Sequence, residues 1–117
     1  KNASALDEWL RENPPEITWN LHWPPYDTPE DHPICSTIAQ SHEKAAIGTR
    51  FEGPALYRGF YAVDDATFLN ANGIPTVTYG PGHIHQAHMV DEFVNIDEVM
   101  ASTKAYALAA MDWCGVS

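Results

Sequence analysis

Positive charge is scarce in this chain: six Lys and Arg stand against sixteen Asp and Glu, for a formal net charge of −10. A surface of that sign repels phosphate backbones and anionic headgroups, which argues against nucleic-acid and membrane-surface partners. Long hydrophobic runs are also lacking, and no stretch approaches the ~20 apolar residues that a membrane-crossing helix needs. Cysteine is nearly absent. Cys35 and Cys114 lie far apart and neither sits in a Cys-x-x-Cys pair, so no disulfide framework is expected and a reduced, cytoplasmic setting is. No Met and no signal-like apolar stretch stands at Lys1, which reads as a start downstream of the true N-terminus. What remains is ordinary globular material. With 117 residues, 44% of them hydrophobic, there is enough apolar surface for one core.

The local signals alternate in type. Residues 4–12 read as a short helix, with Ser4 as cap, Asp7 three residues on, and Leu6, Trp9 and Leu10 on one face. Asn13-Pro14-Pro15 ends it. In residues 16–23, Ile17, Trp19, Leu21 and Trp23 alternate with Glu16, Thr18, Asn20 and His22, the period of a strand covered on one side. Residues 24–33 hold four prolines and no period, which suits a linker or hinge. Pro33 then opens a helix to about Ala46, with Ile34, Ile38, Ala39 and Ala45 expected inward and Gly48 near its end.

The second half reads as strand (56–63), short helix (65–71, ended by Gly73), buried strand (74–79), glycine-rich loop and helix. The last helix is capped by Asn95 with Glu98 at the third position, and Gly115 follows it. Its stripe of Ile96, Val99, Met100, Thr103, Tyr106, Ala107, Ala110, Met111 and Cys114 reads as plain core. Strands alternating with helices define the expected class, α/β.

Half of the six histidines fall in one stretch, Gly80-Pro81-Gly82-His83-Ile84-His85-Gln86-Ala87-His88-Met89-Val90-Asp91-Glu92. Imidazole is the commonest metal ligand near neutral pH, and carboxylates are its usual companions. The stretch leaves the end of a buried strand, where loops of α/β sheets shape ligand sites. A catalytic metal draws its ligands from separate elements, however, and one loop rarely supplies them all.

Gly80-Pro81-Gly82, Gln86-Ala87-His88, Asp91-Glu92 and Val94 resemble the closing signature of the zinc amidohydrolases typified by acetylornithine deacetylase, succinyl-diaminopimelate desuccinylase, aminoacylase and carboxypeptidase G. The run Asp65-Ala66, Phe68-Leu69, Gly73-Ile74-Pro75 and Tyr79 is similar as well. Upstream, Trp9-Leu10, Pro14-Pro15-Glu16 and Trp19 resemble the last helix and strand of that family's lid, and Asp31-His32-Pro33 the re-entry into the catalytic domain. The resemblance implies two units: residues 1–24 end an α+β lid and dimerisation domain, and residues 25–117 close a three-layer α/β/α catalytic domain.

Further implications are chemical. The resemblance implies two Zn2+ per full-length subunit (Co2+ or Mn2+ as substitutes) and cleavage of an amide in an N-acyl amino acid or small peptide-like substrate. It makes His88 a metal ligand and places the other ligands and the general-base glutamate in a preceding part of the same chain, so this segment alone is expected to be inactive. A homodimer through the lid is implied, with no nucleic-acid or membrane partner. Where relatives carry Gly-Thr before Asp-Ala, this chain has Ala62, Val63 and Asp64, a carboxylate that disfavours a nearby anionic substrate group.

The remaining residues have two readings each. Glu92 either orients the His88 ring or caps local backbone. Asp65 shapes the site or caps the helix it opens. Gly80 and Gly82 let backbone approach a ligand or make the turn. His83 and His85 line a substrate pocket or sit in a solvated loop, and His22 and His42 read as surface residues. A different class of function, a stand-alone metal-binding module built on His83, His85 and His88, is the alternative.

Overall fold

The computed structural model describes residues 3–16, 18 and 22–116. Among the described residues four α-helices run in chain order: α1 (Ala3–Glu12), α2 (Pro33–Ala46), α3 (Ala66–Ala71) and α4 (Ile96–Cys114), with a 3-10 turn at Ile84–Gln86. All four fall on segments predicted as helices. Since α1 starts at Ala3, Ser4 lies within its first turn and not before it. The apolar face of α1 is uncovered, with Trp9 57% exposed. Half of the strand predicted at 16–23, residues 17 and 19–21, lies outside the described residues.

Proline at the first position and the His32 ring start α2, whose Nδ1 accepts the Ile34 N–H at 3.2 Å. It packs on α4. The interface differs from the predicted one, because it consists of small side chains. Cys35, Thr37, Ser41, Ala45 and Ala46 are buried on α2, and Ala101, Ser102 and Ala105 on α4. Ile34, Ile38 and Ala39 are only half-buried. On α4 the stripe read as core is exposed among the described residues, with Ile96 77% and Met100 54% accessible. Close approach of two helix backbones requires short side chains at the crossing, so alanines take the inner face and the bulky stripe faces outward.

Between these helices the chain is extended. Segments 56–63 and 74–79 carry no strand ladder among the described residues. They border an open groove of about 800 Å³ with the proline-rich segment and α2. Trp23 lines it, stacks at a tilt on Phe68 with centroids 6.0 Å apart, and holds a buried Nε1 with no hydrogen-bond partner among the described residues.

The proline-rich segment is fastened to the body by side chains. Thr28 Oγ1 donates to the Thr76 carbonyl at 2.7 Å and accepts the Thr76 N–H at 3.3 Å. The Thr67 hydroxyl donates to the Pro24 carbonyl, and Tyr26 Oη lies 3.0 Å from Thr78 Oγ1. Gly115, at φ 68°, closes α4 with its own N–H on Asp112 and the Val116 N–H on Met111, the paired bonds of a Schellman ending.

Candidate functional site

The site is built on the turn that follows segment 74–79. Gly82 has φ 88°, a conformation that L side chains resist, so glycine is required here by the backbone itself. Gly80 has no such demand; a Cβ there would meet the Tyr106 hydroxyl at 3.5 Å, ordinary contact. Two α4 side chains hold the turn. The Tyr106 hydroxyl donates to the Tyr79 carbonyl, and Glu98 Oε2 accepts the Gly82 N–H at 2.7 Å. Glu98 therefore reaches across the fold, not back to its own helix start. The local cap is made by Asn95, whose Oδ1 accepts the Asp97 N–H at 2.8 Å.

After the turn, His83 Nδ1 accepts the His85 N–H at 3.2 Å, and the two rings stack with centroids 4.8 Å apart. Backbone bonds from Gln86 to His83 and from Ala87 to Ile84 tighten this stretch into the 3-10 turn. His88 follows in the left-handed region at φ 64°, the one non-glycine residue among those described to do so. Its N–H donates to Glu92 Oε2 at 3.1 Å. Here the Glu92 carboxylate caps the His88 main chain. The His88 side chain is exposed, and among the described residues its ring nitrogens take no hydrogen bond.

Among the described residues no three His, Cys, Asp or Glu are placed to hold one metal ion. The His83, His85 and His88 module thus finds no geometric support. As one donor to a site completed elsewhere, however, His88 fits zinc: an exposed imidazole on a braced loop is what such a site needs from a single element.

Around Asp64 the sequence reading missed a second cluster. Asp64 Oδ2 accepts the Thr78 hydroxyl at 2.5 Å and the Tyr26 hydroxyl at 3.3 Å, while Oδ1 accepts the Ala66 N–H at 3.2 Å. It is Asp64, then, that caps α3; Asp65 makes no side-chain cap bond. With three donors on it, the Asp64 carboxylate is occupied structurally. His42 is no free surface residue either. It is half-buried, with Nδ1 2.9 Å from Tyr79 Oη and the rings edge-on. Burial pushes the Tyr79 phenol above its usual range, the Ser102 hydrogen bond opposes this and Tyr106 adds to it. Burial likewise raises the Cys35 thiol, with Glu30 and Asp31 adding to the effect. None of the turn residues from Gly80 to Glu92 lines the groove beside α2, so groove and loop are separate features.

A family model, peptidase family M20/M25/M40, matches residues 13–112. The chain belongs to that family. It is 32% identical to the N-formyl-4-amino-5-aminomethyl-2-methylpyrimidine deformylase of Bacillus subtilis (strain 168), an alignment covering 95% of this chain and 27% of the relative. The enzyme of that name from Halalkalibacterium halodurans is 30% identical, over 97% of this chain and 27% of the relative. The chain thus spans about a quarter of the length of these curated relatives. No solved structure matches it. Among the described residues no helix is long and apolar enough to cross a membrane.

Proposed function

We propose that this chain supplies the closing part of the catalytic domain of a dinuclear zinc amidohydrolase, with His88 as its metal ligand. The observation that carries the reading is the His88 loop. An exposed imidazole follows a glycine turn at the end of an extended segment, and its backbone is set in a left-handed conformation by Glu92. Non-glycine residues in that region are uncommon and cluster where geometry matters. Membership in the M20/M25/M40 family supports a hydrolase and a metal.

The remaining ligands and the general base belong, on this reading, to polypeptide outside residues 1–117. The same polypeptide gives segments 56–63 and 74–79 their sheet partners and fills the groove beside α2, completing an α/β/α layer. Residues 1–24 then end the lid, where the uncovered face of α1 contributes to a homodimer. Monomeric elution of the full-length protein would count against that last point.

His88, with ligands from the preceding polypeptide, would hold a zinc pair, which would supply polarisation of the amide carbonyl and activation of water at neutral pH. The contribution of this chain is orientation: Glu92 and the 3-10 turn hold the His88 backbone so that its ring meets the metal without first being ordered. The named activity of the relatives, removal of a formyl group from an aminomethylpyrimidine, is cleavage of a small N-acyl amide, and N-formyl amines are the first substrates to assay beside N-acyl amino acids. In the full-length enzyme, His88→Ala is expected to lower zinc content and cut turnover by at least about 100-fold. Wild-type zinc content and rate in that variant would refute the assignment.

A further inference from the structure

The turn ahead of the His88 loop is held from both sides by one helix. On its near side the Tyr106 hydroxyl takes the carbonyl of Tyr79, and on its far side the Glu98 carboxylate takes the N–H of Gly82. Glu98 stands in the first turn of α4, three residues after Asn95, where a glutamate ordinarily bends back to its own helix start. Here its carboxylate is split between two other elements: Oε2 lies 2.7 Å from Gly82 N and Oε1 3.5 Å from Arg50 Nη2. A carboxylate on a backbone N–H is among the stronger neutral-pH hydrogen bonds.

We propose that Glu98, together with Tyr106, is a positioning residue for His88, acting through the Gly80-Pro81-Gly82 turn. This rests on the reading of His88 as a metal ligand. Downstream of Gly82 the chain is stiffened by its own bonds, from Gln86 to His83, Ala87 to Ile84 and Met89 to Gln86. A displacement at Gly82 is therefore passed along the 3-10 turn to His88 and not absorbed on the way. The α2–α4 pairing gives the clamp a fixed base, with Ala46 and Ala105 both 0% exposed at the crossing. Metal coordination tolerates ligand errors of only about 0.2 Å, so loosening the turn costs affinity even though neither residue touches the ion.

The test is zinc affinity of the full-length, metal-stripped enzyme, measured by competition with a chromophoric chelator, with the thermal midpoint of the zinc-free form recorded alongside. Glu98→Ala is expected to raise the zinc dissociation constant about 10-fold or more. Glu98→Gln, which keeps an acceptor for Gly82, is expected to restore most of it. The zinc-free midpoint should stay near wild type, whereas a merely structural role would lower it and leave the zinc constant unchanged. Wild-type zinc affinity in Glu98→Ala overturns the proposal. Should that variant fail to fold, Tyr106→Phe, which removes only the hydroxyl on the Tyr79 carbonyl, replaces it with the same two outcomes. His88→Ala separates the two claims: if it binds zinc normally, the ligand reading itself fails. If it loses zinc while Glu98→Ala does not, only the clamp fails.

Discussion

At Asp64 one carboxylate gathers the hydroxyls of Tyr26 and Thr78 and the first free N–H of α3. Replacing Asp64 with Ala leaves the buried Ala66 N–H and the half-buried Tyr26 hydroxyl without this acceptor, together with the exposed Thr78 hydroxyl. A loss of about 2–3 kcal/mol is expected, readable as a lower midpoint in chemical unfolding of the full-length protein. Asp64→Asn, which keeps one oxygen, should recover part of it. Legibility at this scale was uneven. The His83 to Glu92 stretch stands out by composition, and His88 by its place in the family motif. Nothing in the residue pattern, though, shows that Asp64 and not Asp65 caps α3, that Glu92 serves backbone, or that His42 meets Tyr79. His42 meets a partner 37 residues away, and Asp64 is drawn to hydroxyls 14 and 38 residues away, while Glu92 and the α3 cap depend on local backbone angles that composition does not encode.

Helices were read well as segments and poorly as faces. Pro33, Asn95 and Gly115 mark the ends of α2 and α4 because capping chemistry is local. The buried side is set by the partner. In α4 the longest apolar stripe does not face α2, because the crossing admits only Ala101, Ser102 and Ala105. Ala105→Leu is expected to destabilise the full-length protein by about 1–3 kcal/mol through overpacking, measured as a fall in thermal midpoint. Ile96→Ala, on the open stripe, should change the isolated chain far less. The strands predicted at 56–63 and 74–79 illustrate the same limit. An extended backbone is a local property, whereas a ladder needs a neighbour, and none is present among the described residues.

As a whole the chain does not close a core. Its radius of gyration is 20.2 Å, against about 13 Å for a compact domain of this length. Among the described residues no large side chain is fully buried, and the buried hydrophobic ones are Cys35, Ala45, Ala46, Ala66, Ala101 and Ala105. Tyr61 at 91% and Val90 at 100% exposure belong to an apolar surface that water disfavours. The isolated 117 residues are therefore expected to bind a hydrophobic dye such as ANS and to melt without a cooperative transition, as followed by calorimetry. Sharp two-state melting would contradict this picture. Composition predicts a globular chain with one core; among the described residues only Cys35 and alanines are buried as hydrophobic side chains, because composition counts apolar residues and does not place them.

The Thr28 hydroxyl engages both the carbonyl and the N–H of Thr76, while Pro24 and Tyr26 are moored alongside. That buckle fastens the proline-rich strap to α3 and to the extended segment 74–79 at once. A hinge inside the strap would have to undo these four bonds before Thr28 could leave Thr76.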